Sequence, residues 1–149
     1  MVSDSELRDS YDAAEILDGL YITSAANVIR LSNRISADAW VNVAKEIQYI
    51  NDKVSIPVLA WPLDDSPEQF IDPNGELKSV VEWILSGLKR GKKVIVFCHM
   101  GISRSATVCI ACMMRFLNIN SKQALSLLKL KRSIVNPNPG FIKQLENFK

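Results

Sequence analysis

Runs of apolar residues with two different spacings divide this chain into predicted strands and helices. Three short runs rich in β-branched and aromatic residues have the length of a strand, at positions 20–22, 40–43 and 56–60. A fourth run, 94–97, is apolar at every position, which is typical of a central strand covered on both faces. These four segments predict a sheet whose middle is buried.

Apolar residues spaced three and four positions apart predict helices between and after these strands. Residues 76–89 show this spacing and are closed by Gly91, whereas residues 105–117 are apolar nearly all round, as in a buried helix. Three further helices are expected: from residue 24 onward, over 121–131 behind a Ser121 cap, and from Pro139 to the C-terminus. Strands and helices that alternate in this way predict an α/β sandwich with a central sheet.

Composition and charge narrow the range of partners. The 149 residues fit one domain, 1–149, in which residues 1–15 are expected to be a loose N-terminal extension. The 18 basic and 16 acidic residues leave a net charge of +2, which is too small to favour a nucleic acid or a membrane surface as partner. No apolar run reaches the roughly 18 residues that a membrane span requires.

The cysteines indicate a reducing environment. Cys98, Cys109 and Cys112 are odd in number and close together, whereas a secreted disulfide framework is even and dispersed. The polar N-terminal residues 1–12 also lack the charged-then-apolar order of a signal peptide. We therefore expect a cytoplasmic protein, with the nucleus as a second location.

A cysteine and an arginine flank a short loop where the apolar strand meets the buried helix. The amides of a loop from Cys98 to Arg104 can converge on one phosphate, and the helix N-terminus adds partial positive charge. Gly101 permits the positive φ of a sharp bend, and Arg104 can hold two phosphate oxygens in its planar fork. The same field favours the thiolate of Cys98, which is the reactive form of a cysteine nucleophile, and Ser105 places a hydroxyl beside the sulfur.

The spacing of cysteine and arginine is not specific by itself. Cys109 and Arg115 have the same separation, but they lie inside the buried helix, whose amides are taken up by helical hydrogen bonds. Cys109 and Cys112 are therefore expected to be packing residues, and with His99 as the single histidine no metal site is expected. The residues expected to bind phosphate are His99, Met100, Gly101, Ile102, Ser103 and Arg104.

The segment 98–107, Cys-His-Met-Gly-Ile-Ser-Arg-Ser-Ala-Thr, resembles the signature loop of the dual-specificity protein phosphatases, within the superfamily of cysteine-based phosphatases. Other segments resemble this family, in its small atypical form, in the same order along the chain: 17–24, 40–43, 61–67 and 132–141. The resemblance implies a protein tyrosine phosphatase-like fold, α/β with a central mixed β-sheet of about five strands and helices on both faces. It also implies hydrolysis of phosphotyrosine, and of phosphoserine or phosphothreonine if the pocket is shallow, through a phosphocysteine and without a cofactor.

The resemblance also places a general acid in the segment 61–67. Two candidates, Asp64 and Asp65, stand side by side there, and the family pattern around Pro67 matches Asp65. Adjacent side chains usually point apart, so only one is expected to reach the pocket. We expect Asp65 to be the acid, with Asp64 as the alternative, whereas Asp72 fits the entry of a helix better.

One position departs from the family pattern. The residue before the nucleophile is usually a histidine that helps to hold the loop, and here it is Phe97, which cannot donate a hydrogen bond. We therefore expect a competent but slow enzyme, with the ring of His99 at the pocket lip. A role of that ring in compensating for Phe97 is the alternative.

Two further alternatives concern the function. A loop without lysine disfavours the highly charged phosphoinositides, and RNA triphosphatase activity would need more positive charge, so we expect a phosphoprotein substrate and no nucleic acid or membrane partner. Because of Phe97, a pseudophosphatase-like module that binds phosphorylated partners with little turnover stays the alternative to an enzyme.

Overall fold

Five strands form one mixed sheet with helices on both faces, in a computed structural model that describes residues 12–149. The strands are β1 (Ala13–Leu17), β2 (Leu20–Ser24), β3 (Ala39–Ala44), β4 (Val58–Leu63) and β5 (Val94–Cys98). The α-helices are α1 (Val28–Ile35), α2 (Glu76–Lys89), α3 (Arg104–Leu117), α4 (Ser121–Lys131) and α5 (Pro139–Glu146), and a 3-10 helix spans Lys45–Lys53. The predicted fold class, α/β with a central mixed sheet of about five strands, is confirmed.

The strand order across the sheet is β1-β2-β5-β3-β4, which places β5 in the middle. β1 is antiparallel to β2, and all other neighbouring strands are parallel. Because β5 is paired along both edges and covered on both faces, all of its residues are buried, and this explains the continuous apolar run in the sequence. The C-terminal end of β5 carries Cys98 to the edge of the sheet where β2 also ends, at Ser24.

Different helices cover the two faces of the sheet. On one face the indole nitrogen of Trp40 donates a hydrogen bond to Ser32 of α1 (3.0 Å), and the Phe97 ring packs edge-on against Trp40 with centroids 5.2 Å apart. Successive strand residues point to opposite faces, so Cys98 lies on the other face, where its sulfur meets Ser105 of α3. Cys98 and its unusual neighbour Phe97 therefore occupy separate environments.

Two predicted boundaries near the N-terminus are wrong. Residues 13–15 were expected in a loose extension, but they belong to β1, because the backbone of this strand pairs with β2. The rest of that expectation, residues 1–11, lies outside the described residues. The helix expected from residue 24 begins at Val28, because Ser24 still belongs to β2 and pairs in register with Cys98.

Later boundaries need smaller corrections. The strand predicted over 56–60 is β4, and it begins after Pro57, which has no N–H and joins β3 only through its carbonyl. Asn120 rather than Ser121 caps α4, whereas the predicted start of the last helix at Pro139 is confirmed. Within residues 12–149 no helix combines the length and the apolar composition needed to cross a membrane.

Candidate active site

The thiol of Cys98 lies at the end of the central strand, beneath the N-terminus of α3. The residue is 2% exposed, its sulfur lies 3.2 Å from the hydroxyl oxygen of Ser105, and it accepts a hydrogen bond from the backbone N–H of Gly101 at 3.3 Å. We call residues 98–104, which join β5 to α3, the phosphate loop. The backbone N–H of Gly101 and the hydroxyl of Ser105 thus both face the sulfur of Cys98.

Gly101 gives the phosphate loop its sharp bend. Its φ of +69° lies in the left-handed region, as the sequence predicts, and glycine adopts this conformation at least cost. A Cβ at this position would lie 2.8 Å from the backbone oxygen of Thr23 and 2.7 Å from Nη2 of Arg132. Both the backbone conformation and the close approach therefore require glycine.

Arg132 binds backbone carbonyls of the phosphate loop. The side chain is buried, and it donates from Nε to the carbonyl of Gly101 (2.9 Å) and from Nη2 to the carbonyl of Met100 (3.1 Å). Nη2 also pairs with the carboxylate of Asp12 (3.0 Å), which accepts a hydrogen bond from the Ser24 hydroxyl. Two carbonyls of the phosphate loop are thus bound by one buried side chain. No sequence signal pointed to Asp12, and Arg132 had no role beyond its place in a family-like segment.

The two terminal nitrogens of the Arg104 guanidinium have hydrogen-bond partners, whereas its Nε has none within residues 12–149. Nη1 donates to Glu46 Oε1 (2.5 Å) and to the carbonyl of Leu63 (3.0 Å), and Nη2 donates to Glu46 Oε2 (2.7 Å). Nε is buried and has no partner in the described part of the chain. Since Nε carries one N–H and each terminal nitrogen two, the Nε–H and the second Nη2–H form a free two-pronged donor. Such a fork fits two oxygens of one phosphate.

Glu46 is the main group of the site that sequence reasoning missed. Its hydrogen bonds with Arg104 hold the pKa of its carboxyl down to about 2, and the same bonds raise the pKa of Arg104. Nδ1 of the exposed His99 lies 3.6 Å from this carboxylate. Glu46 is the second residue after β3, a neighbour of β5, so the fold places it beside Arg104 although the two lie far apart along the chain.

Residues 64–71, which we call the acid loop, bring Asp65 against the phosphate loop. Oδ1 of Asp65 accepts a hydrogen bond from the hydroxyl of Ser103 at 2.7 Å. The neighbouring Asp64 instead lies with its carboxylate 3.6 Å from the ammonium group of Lys45. The two side chains thus make separate contacts, and of the two it is Asp65 that touches a residue of the phosphate loop.

The remaining residues of the phosphate loop divide between surface and interior. Met100 is 59% exposed and His99 is also exposed, whereas Ile102 is half-buried and Ser103 is buried. The side chains of His99 and Met100 therefore lie at the lip of the site. Ser103 is buried, and its hydroxyl links the phosphate loop to Asp65.

Three further residues that the sequence analysis discussed, Cys109, Cys112 and Asp72, have structural roles. Cys109 and Cys112 are buried within α3, and burial raises the pKa of both thiols, so the predicted packing role is confirmed. Asp72 accepts a hydrogen bond from the backbone N–H of Lys78 in the first turn of α2 (3.2 Å), as expected for a residue at a helix entry.

The fold and this arrangement define the class of the protein: a hydrolase of the protein tyrosine phosphatase superfamily. The chain belongs to the dual specificity phosphatase family, since residues 20–149 match the family model described as "Dual specificity phosphatase, catalytic domain". It is 38% identical over 137 residues to "Putative tyrosine phosphatase 123R" of Invertebrate iridescent virus 6, with 92% of each chain covered.

Two further similarities concern a longer relative and a solved structure. The chain is 32% identical over 142 residues to human dual specificity protein phosphatase 5, which covers 93% of this chain but 32% of that protein. The crystal structure of DUSP15 has a TM-score of 0.84 at 28% identity, and the match covers 93% of this chain and 87% of that one. The chain thus spans nearly all of the viral relative and about a third of the longer human one.

Proposed function

We propose that this protein hydrolyses phosphotyrosine, and phosphoserine or phosphothreonine, in phosphoproteins through a phosphocysteine intermediate. Cys98 is the nucleophile, Arg104 and the N–H groups of the phosphate loop bind the phosphoryl oxygens, and Asp65 is the general acid. Ser105 stabilises the sulfur as a leaving group. No cofactor takes part in this scheme.

The observation that carries the proposal is the free side of the Arg104 guanidinium. The side chain is 8% exposed, yet its Nε has no partner within residues 12–149. A buried polar group without a partner is costly, and such groups are uncommon unless a ligand satisfies them. The other end of the guanidinium is fixed by Glu46 and Leu63, so the free donors are held in one orientation beside the loop that contains Cys98.

The reaction follows in two displacements. The thiolate of Cys98 attacks phosphorus, so that an S–P bond forms while the bond from phosphorus to the leaving oxygen breaks. Asp65 gives its proton to that oxygen. Water then attacks the phosphocysteine, the Asp65 carboxylate accepts a proton from the water, and the thiolate leaves with a hydrogen bond from Ser105.

The Phe97 position supports a slow enzyme. The ring lies against Trp40 and offers no donor, so the phosphate loop depends on other groups for its order. Arg132 donates two hydrogen bonds to carbonyls of the phosphate loop, and these compensate for part of the order that a histidine at position 97 would supply. We expect Phe97→His to raise turnover, and a variant no faster than wild type would count against this explanation.

Phosphoproteins are the substrate class that the site favours. The phosphate loop contains no lysine, and the exposed lip carries His99 and Met100 rather than a cluster of cations. A highly charged lipid headgroup would meet too little positive charge there. We place the reaction in the cytoplasm or nucleus, where a thiolate nucleophile stays reduced.

Hydrolysis of an aryl phosphate by matched pairs of variants tests the proposal. Cys98→Ser should abolish turnover, and Arg104→Lys should weaken both turnover and inhibition by tungstate, because lysine lacks the planar fork. Cys109→Ser and Arg115→Lys change the same residue types at the same spacing inside α3, and they should retain activity once folding is verified by circular dichroism. Equal turnover by Cys98→Ser and wild type would refute the proposed chemistry.

Phe97 is the observation that favours the second candidate, a binding module with little turnover. A pure binder needs an oxyanion site but neither the thiol nor the acid. Tungstate binding without any hydrolysis, unchanged in Cys98→Ser and Asp65→Asn, would establish that function instead.

A further inference from the structure

The acid loop is tied to α5 by the amide of one side chain, Gln144. Its Oε1 accepts a hydrogen bond from the backbone N–H of Ile71 (2.9 Å), and its Nε2 donates to the backbone carbonyl of Gln69 (2.8 Å). Nε2 also reaches the carbonyl of Gly140 within α5, at 3.2 Å. One primary amide therefore binds a donor and an acceptor of the acid loop while it is anchored to its own helix.

Gly140 provides a second contact between α5 and the acid loop. A Cβ at this position would lie 2.0 Å from the backbone oxygen of Pro67 and 2.6 Å from its Cα. The residue lies inside α5 and its φ is not positive, so its backbone conformation alone would accept alanine. Glycine is required here because the acid loop lies directly on the helix.

Asn138, the residue that caps α5, connects the same region to the proposed acid. Its Oδ1 accepts a hydrogen bond from the backbone N–H of Phe141 (3.0 Å), as an N-cap does, and its Nδ2 donates to Oδ1 of Asp65 (2.9 Å). Its backbone N–H donates to the hydroxyl of Ser103 (2.9 Å), which in turn donates to Asp65. The start of α5 thus reaches both the acid loop and the phosphate loop.

Outside α5 and its cap, the acid loop contacts Ser103 through Asp65, Lys45 through Asp64, and the backbone N–H of Leu77 through the Ile71 carbonyl. Most of its side chains, including Asp64, Glu68 and Phe70, are exposed, and Ile71 is its one fully buried side chain, at 1% exposure. A segment with few buried apolar contacts opens at low free-energy cost unless polar contacts restrain it. The contacts of α5 therefore add a restraint on the backbone of the acid loop, beside the direct hydrogen bond of Asp65 with Ser103.

We infer that Gln144 and Gly140 are positioning residues for proton transfer: by fixing the acid loop on α5, they place the Asp65 carboxyl where it protonates the leaving oxygen. This inference rests on the proposed role of Asp65. In the step concerned, the S–P bond to Cys98 forms, the P–O bond breaks, and the proton of Asp65 moves to the departing oxygen. A misplaced acid leaves that oxygen to depart as an anion.

Leaving groups of different basicity separate this role from a merely structural one. An activated aryl oxygen departs readily without a proton, whereas an unsubstituted phenol or an alkoxide needs the acid, whose loss costs on the order of 10²–10⁴-fold. For Gln144→Ala and Gly140→Ala we expect kcat/KM to fall about 10- to 100-fold with phenyl phosphate and less than about threefold with p-nitrophenyl phosphate. Gln144→Glu keeps the shape but replaces the donor with a second acceptor, and it should behave like the alanine variant.

A control variant and a double variant complete the experiment. Asn147 lies at the exposed end of the same helix and, within residues 12–149, binds only through its backbone, so Asn147→Ala should retain activity towards both substrates. When Asp65→Asn is combined with Gln144→Ala, the loss with phenyl phosphate should not exceed that of Asp65→Asn alone, because the helix acts through the acid.

The outcomes separate this inference from the proposed function. An equal loss with both substrates in Gln144→Ala, no loss with either, or a double variant with additive losses, overturns the positioning role while Asp65 keeps its own. If Asp65→Asn itself shows no dependence on the leaving group, the acid assignment fails, and the positioning role fails with it.

Discussion

The pairing of Glu46 with Arg104 permits a quantitative prediction. Glu46→Ala removes two charge-assisted hydrogen bonds, at 2.5 and 2.7 Å, from a guanidinium whose side chain is 8% exposed. Breaking a fully buried ion pair costs about 3–5 kcal/mol. The Glu46 side chain is 47% exposed, so solvent replaces part of what is lost, and we expect a loss of unfolding free energy of about 1–2 kcal/mol.

The effect on activity should exceed the effect on stability. Without Glu46, the carbonyl of Leu63 is the one hydrogen-bond partner left to the Arg104 side chain among residues 12–149, and its free fork no longer has a fixed direction. A hydrogen bond to a charged group contributes about 1.5–3 kcal/mol. Since each 1.4 kcal/mol or so is tenfold in rate, kcat/KM for an aryl phosphate should fall about 10- to 100-fold, with a parallel loss of affinity for tungstate.

The assay compares three variants by steady-state kinetics, tungstate inhibition and urea unfolding. Glu46→Gln keeps one acceptor without charge and should lie between Glu46→Ala and wild type. Asp52→Asn is the matched control, because Asp52 lies on the same 3-10 helix, is exposed and makes no ion pair or hydrogen bond in the described part of the chain. Unchanged kcat/KM and tungstate affinity in Glu46→Ala, or an equal loss in Asp52→Asn, would refute the reasoning.

Three further predictions concern the loop, the thiols and the response to pH. Gly101→Ala should lower kcat/KM at least about tenfold, because the added Cβ would lie 2.8 Å from a backbone oxygen. Gly91 is the control: it has a similar positive φ, but a Cβ there would meet no atom within 4 Å, so Gly91→Ala should stay active in the same assay. Iodoacetate should alkylate Cys98 but not Cys109 in the folded protein, because burial raises the pKa of the Cys109 thiol. Peptide mass spectrometry that finds Cys109 alkylated in the folded protein would contradict this. The pKa of the Glu46 carboxyl falls from 4.5 to about 2 on folding, so its stabilisation is complete above about pH 4.5 and is lost as the pH falls towards 2. The free energies of unfolding of wild type and Glu46→Gln should therefore converge over that interval in urea titrations, and a difference that grows on acidification would disprove the assignment.

The sequence predicts elements well where burial is decided locally. The helix over 76–89 matches α2 at both ends, because its apolar face repeats with the helical period and turn residues, 72–75, precede it. β1 escaped prediction because Ala13, Ala14 and Glu15 carry no strand pattern. Their conformation depends on pairing with β2, which lies across a turn and is itself held by β5.

The candidate site also has a part that depends on local sequence and a part that depends on distant contacts. Its contiguous part, from Cys98 to Ser105, could be predicted because a strand, a loop and a helix in sequence already define an anion pocket. Glu46 and Arg132 could not be, since they contact loop residues 58 and 31 positions away along the chain. Sequence spacing carries no information about such contacts, and only the packing of the 3-10 helix and the end of α4 brings them to the loop.

Trapping of the covalent intermediate tests the central claim most directly. In Asp65→Asn an activated aryl phosphate should still phosphorylate the enzyme, because its leaving group needs no proton, while hydrolysis slows for want of a base. Acid quenching and peptide mass spectrometry should then find one phosphoryl group on the peptide that contains Cys98, and none after Cys98→Ser. Release of phosphate by the wild type, with no phosphoryl group on Cys98 in the trapped variant, would contradict the account.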